Sequence, residues 1–350
     1  MQICLHSAQF FPVIGGIPQV SYTLANYWVQ QGHQVTVVTD TPAAVEQDTT
    51  FNFPVIRCPS FASWKLLLRN SDVIVSKGYS IRHLAAWLIS GKPIIWIHPV
   101  YIPEIVESNK IKWRSLIRIL LARAILPLAA SHVYVSHAVE KQIGSPKGLV
   151  IYNPVENCFR PLPNIIIKND FAFFGRMDPE KGVNTLLEAL AICRQKGKVY
   201  TLDLYGFGPY LAEWQQSAET LGIETQVRWY PFLRGDELVE AMNAAGVVVM
   251  PSQWSEPMGL VAVEAMACGK AVIGSQQGGL GEVLEGYGMT FENGNAEQLA
   301  ECMIKVRSDP DLRLNLEKKG YERARDFTPS TIGDKYLQLF ESFLKHPLRV

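Results

Sequence analysis

The stretch MPSQWSEPMGLVAVEAMACGKAVIGSQQGGLGEVLE, Met250 to Glu285, leaves the fold little freedom. Val247 to Val249 form a β-branched run that ends at Pro251. An apolar run without alternation predicts a buried parallel strand. A polar loop with Ser252, Ser255 and Glu256 follows. A helix is then expected from about Met258-Gly259 to Cys268, stopped by Gly269. Leu260, Val261, Val263, Ala265 and Met266 suit packing on a sheet, which makes Glu264 the odd charge on an apolar helix. A carboxylate there needs a polar partner. Seven residues separate Glu256 from Glu264. The first precedes the helix and the second stands about two turns in, so both can face one ligand. The helix start offers backbone N–H groups and a positive dipole end, which suit anions and sugar hydroxyls.

The unit of strand, loop, helix and strand recurs. Residues 2–7 read as a strand, and the loop from Ala8 to Gly16 contains FFPVIGG. Pro18 fits a first helical turn. Val20, Leu24, Tyr27 and Trp28 continue at helical spacing until Gly32, and Gln34–Thr39 is the next strand. This is not the G-x-G-x-x-G turn of dinucleotide binders. Gly15 and Gly16 let the backbone approach a ligand closely; alone, the pair reads equally as a plain turn. Further strands are expected at Phe53–Arg57, Asp72–Ser76, Pro93–His98, His132–Ser136 and Leu149–Tyr152. In the second half they are expected at Asp170–Gly175, Leu202–Tyr205 and Gln226–Pro231. The pattern predicts an α/β chain with parallel sheets. His98 ends its strand at the edge where open α/β sheets bind ligands, although a lone histidine is more often a satisfied polar side chain.

A chain of 350 residues suits two domains of ordinary size. The Pro-rich stretch Asn153–Asn169, with Pro154, Pro161 and Pro163, reads as the linker. Residues 1–155 hold 13 Lys and Arg against 7 Asp and Glu; the remainder hold 20 against 26. The basic first half hints at an anionic partner, a membrane surface, a phosphate or an acidic glycan, or is uneven surface decoration. In residues 110–131, Lys110, Arg114 and Arg118 lie one turn apart, with Trp113 and leucines elsewhere. That suits either a membrane-surface segment or a helix packed on the sheet. The six cysteines are scattered, with no C-x-x-C pair, so neither zinc nor a disulfide framework is expected. A reducing, cytoplasmic compartment is expected, with peripheral attachment to the inner face of the membrane if the basic segment binds lipid.

The E-x7-E stretch closely resembles the signature of the retaining, nucleotide-sugar-dependent glycosyltransferases of family 4, also called glycosyl transferases group 1. FFGRMDPEKG, Phe173 to Gly182, is similar to that family's G-R-x-x-x-E-K-G segment, and Gly278-Gly279 to its glycine pair before a helix. Gly281, Met258 and Ala271 depart from residues common there, which blurs the identity of the donor. The resemblance implies a GT-B type fold: two Rossmann-like, doubly wound domains facing a central cleft. Residues 1–158 would form the acceptor domain and 159–330 the donor domain. Residues 331–350 would form a helix crossing back to the first. It implies that Glu256 meets the donor sugar and Glu264 the ribose hydroxyls. Gly16 would offer its N–H to phosphate, and His98 would lie near the reacting sugar. Met258, Gly259 and Leu260 line the donor at the helix start. Arg176 and Lys181, two cations beside a helix start, make a diphosphate clamp plausible. No D-x-D motif is read as holding a divalent cation, and no metal or cofactor is expected. The resemblance implies a nucleotide sugar and a glycan or lipid-linked acceptor as partners; an anionic membrane surface is added if the basic segment binds lipid, and no nucleic acid is expected. The alternatives are a non-catalytic sugar-nucleotide or partner-binding relative and a sugar-nucleotide epimerase on the same fold.

Overall fold

Val, Ile and Leu dominate the short strands on both faces, so each strand needs helices on either side. The computed structural model shows this arrangement twice, describing residues 1–43, 51–78, 87, 90–99, 129–144 and 148–345. One unit comprises Met1–Pro154 with Pro329–Val350, and the other Val155–Thr328.

The first unit contains β1 (Gln2–Ser7), α1 (Gly16–Gln30), β2 (Gln34–Thr39), β3 (Val55–Arg57), α2 (Phe61–Asn70) and β4 (Val73–Lys77). β5 (Ile94–His98), β6 (Ser131–Tyr134), α3 (His137–Ile143) and β7 (Gly148–Val150) follow. Its strands pair in parallel in the order β3-β2-β1-β4-β5-β6-β7. The order reverses between β1 and β4, whose last residues, Ser7 and Lys77, are register partners. Ser60 and Ser136 cap α2 and α3 by accepting from Ser63 N–H and Val139 N–H. β3 starts at Val55 rather than at Phe53. Pro54 has no N–H for the ladder, and Phe53 instead stacks on Phe51 with ring centroids 5.5 Å apart. The basic segment 110–123 lies outside the described residues.

The second unit contains β8 (Phe171–Phe174), α4 (Val183–Gln195), β9 (Leu202–Tyr205), α5 (Leu211–Thr220), β10 (Val227–Tyr230), α6 (Gly235–Asn243) and β11 (Val247–Met250). α7 (Leu260–Ala267), β12 (Ala271–Ser275), α8 (Gly278–Leu284), β13 (Met289–Phe291), α9 (Ala296–Ser308) and α10 (Pro310–Ala324) complete it. The order β10-β9-β8-β11-β12-β13 reverses between β8 and β11. Leu186, Leu187 and Leu190 of α4 join Phe171, Phe173, Leu204, Val249 and Leu299 in one buried core. Asp309-Pro310-Asp311 has D-x-D spacing, but Asp309 caps α10 by accepting from Leu312 N–H at 2.9 Å.

After Thr328 the chain returns to the first unit as α11 (Pro329–Lys345). Trp28 of α1 is fully buried, packs edge-on against Tyr336 and Phe340 and donates through Nε1 to Gly333 O at 3.3 Å. Tyr27 donates to Asp334 at 2.6 Å. A Cβ at Gly333 would stand 2.1 Å from the Tyr27 ring, so this crossing needs glycine.

Candidate active site

Open parallel sheets bind ligands beyond the strand ends where the strand order reverses. In the second unit that place lies beyond β8 and β11. The chain leaves β8 through Gly175 and Arg176 into a 3₁₀ turn, Pro179–Lys181, just before α4. It leaves β11 through Pro251 into the loop that carries Glu256. These two exits touch. Gln253 N–H donates to Glu180 O at 2.9 Å. A Cβ on Gly182 would stand 1.8 Å from Pro251 O, so only glycine permits the approach.

The approach joins two residues far apart in sequence. Lys181 Nζ donates to Glu256 Oε1 at 2.7 Å, with the side chains 18% and 9% exposed. Ser252 Oγ donates to the same oxygen at 2.7 Å. The Trp254 ring lies 4.9 Å from the ammonium, in cation–π contact. The loop backbone is fixed as well. Gly279 N–H donates to Glu256 O at 2.7 Å, and a Cβ on Gly279 would stand 2.0 Å from Pro257 O. The glycine pair is therefore a close-contact device that holds the Glu256 loop. Ser275 and Asn293 donate to Ser252 O at 2.6 and 3.0 Å.

Beyond the loop, Met258 is a buried side chain, Gly259 is left-handed and Leu260 opens α7. No side chain caps this end, and its first turn has no acidic residue. Met258, Gly259 and Leu260 thus lead into an uncapped, positive helix end. Glu264 stands on the second turn, partly buried. Burial pushes its carboxyl up to about 7, and nearby Glu156 adds to the shift. Arg176 turns elsewhere: its guanidinium meets Asp178 at 2.5 Å and Glu180 at 2.8 Å, and it is more than half exposed. Arg176 and Lys181 therefore share no partner here.

The other two candidates belong to the first unit. Gly16 opens α1, whose N-terminus has no side-chain cap and no acid in its first turn. His98 is fully buried; its Nε2 lies 3.0 Å from His132 Nδ1, one ring donating and the other accepting. Its ring stacks on Tyr134. Burial, with His132 beside it, lowers its pKa to about 3, so the ring is neutral at physiological pH. Ser252, Trp254, Ser275 and Asn293 complete this arrangement although no sequence motif marks them. Only the polar character of the loop hinted at the first, and nothing local marked Asn293, about 40 residues away.

Two family profiles divide the chain. Residues 14–157 match Glycosyltransferase Family 4, and residues 164–323 match Glycosyl transferases group 1. The chain belongs to this glycosyltransferase family. Among its relatives, an uncharacterized glycosyltransferase of Methanocaldococcus jannaschii is 30% identical over 200 residues, 56% of this chain and 53% of that protein. The D-inositol 3-phosphate glycosyltransferase of Saccharomonospora viridis is 32% identical over 180 residues, 48% of this chain and 42% of that protein. The chain thus aligns with about half the length of these curated relatives. Anabaena HepE, solved in complex with UDP, superposes with a TM-score of 0.80 at 22% identity, over 98% of this chain and 100% of that one. That likeness establishes the GT-B fold of two Rossmann-like parallel sheets. Among the described residues of this family 4 chain, no helix is long and apolar enough to cross a membrane, and no His, Cys, Asp and Glu group suits a metal ion.

Proposed function

We propose that the chain transfers a sugar, with retention of anomeric configuration, from a nucleoside diphosphate sugar to a hydroxyl acceptor. The observation that carries this reading is the buried Lys181–Glu256 pair beside the uncapped start of α7. A diphosphate entering there meets an ammonium and free backbone N–H groups. As the bond from the sugar to the diphosphate breaks, negative charge grows on the leaving oxygen, and preorganised positive groups stabilise it. Lys181 is already held by Glu256 and Trp254, so little reorganisation is needed. Arg176, on the exposed flank, adds charge once released from Asp178 and Glu180. Glu256 accepts from donor-sugar hydroxyls and Glu264 from the ribose. Gly16 offers its N–H to phosphate, and neutral His98 serves as a hydrogen-bonding neighbour of the sugar rather than as a charged acid.

HepE was solved with UDP-glucose, which makes uridine donors the first to try. The named acceptors of relatives, D-inositol 3-phosphate in one case and phosphatidylinositol in another, carry phosphate. A phosphate-bearing or lipid-linked acceptor therefore fits this reading. The test is a panel of nucleotide sugars in thermal denaturation, since a ligand of the native state alone raises its stability. One nucleotide family should raise the melting temperature at concentrations where its free sugar does not; no response to any member would defeat the reading.

Because Lys181 and the helix end supply the positive charge, turnover is expected to persist in excess EDTA. Loss of activity that Mg²⁺ or Mn²⁺ restores would show that this charge is insufficient. Attachment to an anionic membrane, on the inner face in a cytoplasmic setting, rests on residues 110–123. Each basic side chain contributes about 1 kcal/mol near such a surface and is screened by salt. Binding to phosphatidylserine vesicles should fall as salt rises; equal binding to neutral vesicles would contradict it.

A further inference from the structure

Trp254 holds an unusual place in the loop that carries Glu256. The residue is partly buried, and its Nε1–H is shut away from water with no hydrogen-bond partner among the described residues. A tryptophan buried at that end normally finds an acceptor, because an unpaired N–H away from water costs stability. Among the described residues the one specific contact of the side chain is to Lys181, whose ammonium lies 4.9 Å from the ring centroid.

The main chain keeps that contact in place. Gln253 N–H donates to Glu180 O at 2.9 Å, a bond between the residue just before Trp254 and the residue just before Lys181. The Gln253 side chain donates to Asn184 and to Thr185, each at 3.0 Å, on the first turn of α4. Asn293 donates to Trp254 O at 3.4 Å. Ring and ammonium are thus carried by two segments pinned together one residue away from each.

A lysine ammonium has three N–H groups. One goes to Glu256 Oε1. The four-carbon stem is flexible, so that bond alone lets the ammonium swing about the oxygen. The negative ring face attracts the ammonium without bringing a net charge of its own. A second carboxylate there would also hold the ammonium, but it would repel a diphosphate.

We propose that Trp254 is a positioning residue, kept for its ring face, which fixes where Lys181 offers its remaining N–H groups to the leaving diphosphate. The role in turnover rests on the transferase reading; the coupling between ring and ammonium does not. Attraction between an ammonium and a bound diphosphate varies slowly with position. Stabilising the charge that grows on one oxygen as its bond breaks demands placement. Loss of the ring therefore costs turnover more than affinity.

The experiment compares Trp254→Leu and Trp254→Phe in the full chain, each with Lys181 intact and with Lys181→Met. The probes are the nucleotide sugar that the thermal panel selects and its nucleoside diphosphate. Trp254→Leu should lower kcat by about tenfold or more and change nucleoside diphosphate affinity by less than about threefold. Trp254→Phe keeps a ring face and drops the unpaired N–H, so it should recover most of that loss. In Lys181→Met, Trp254→Leu should cost no further turnover. Three results would each overturn the proposal: wild-type kcat in Trp254→Leu, a Phe variant no better than the Leu variant, or the same loss in the Lys181→Met background. A ring that only shapes the loop gives the last result, because its removal acts whether or not Lys181 is present. Melting temperatures read the contact without catalysis. Trp254→Leu should lower them more with Lys181 intact than in Lys181→Met; equal drops would refute the contact. If wild type turns over no nucleotide sugar while the two drops still differ, the role in turnover falls with the transferase reading and the contact stands.

Discussion

Lys181→Met is expected to lower turnover by about 100- to 1,000-fold, the loss typical when one donor is removed from a preorganised charge-stabilising site. Its ammonium lies 2.7 Å from Glu256 Oε1 and beneath the Trp254 ring, so its position is set before any ligand arrives. The same change removes the counter-charge of a mostly buried carboxylate. Breaking such a pair from one side costs about 3–5 kcal/mol when it is fully buried. The pair here keeps some exposure at Lys181, so the cost should fall below that range. Lys181→Met with Glu256→Gln removes both charges. The double variant should recover most of the stability and none of the turnover. Urea unfolding and an assay of nucleoside diphosphate release separate the two effects. Turnover within twofold of wild type in Lys181→Met would remove the lysine from the chemistry.

Glu264 should make nucleotide binding depend on pH. Its carboxyl titrates near 7 in the unliganded fold, above the ordinary glutamate value of about 4.3. The folded state therefore holds its proton more tightly than the unfolded state. That contribution to stability is fully present below about pH 4.3 and is lost as pH rises through about 7. Glu264→Gln removes this loss, so its stability advantage over wild type should grow between pH 5 and pH 8. Binding runs the other way. Two ribose hydroxyls donate best to the carboxylate, each bond being worth roughly 1.5–3 kcal/mol. Nucleoside diphosphate binding should release a proton near neutral pH and tighten as pH rises through about 7. Glu264→Gln should weaken it by about tenfold or more and flatten the pH profile. Glu256→Gln should barely change affinity for the bare nucleotide diphosphate, because its partner is the sugar. The check is calorimetry at pH 6 and pH 8 with both variants. A flat wild-type profile, or nucleotide affinity lost in Glu256→Gln and kept in Glu264→Gln, would reverse the two roles.

The spacing between Glu256 and Glu264 was readable because chemistry acts on it directly: one carboxylate before a helix and one on its second turn. The β-branched strands and the glycine stops were readable for the same local reason. α7 runs from Leu260 to Ala267 between Gly259 and Gly269. Strand ends shifted by a residue or two; at β3 the cause is Pro54, which has no N–H for the ladder. Contacts formed by the fold were not readable. Lys181 and Glu256 lie 75 residues apart, and their pairing depends on how closely Gly182 lets two strand exits approach. Two cations near one helix start read as a pair, yet Arg176 turns to its own acidic neighbours. The burial of Lys77, 1% exposed at the end of β4, was not readable, because a lysine that ends an apolar strand usually reaches water.

The measurement that tests the account most directly is a structure of the chain with the nucleoside diphosphate that the thermal panel selects. The account predicts its distal phosphate within hydrogen-bond distance of Lys181 Nζ and of a backbone N–H at the start of α7, with the ribose hydroxyls on Glu264. A nucleotide bound elsewhere, with Lys181 and Glu264 untouched, would contradict it.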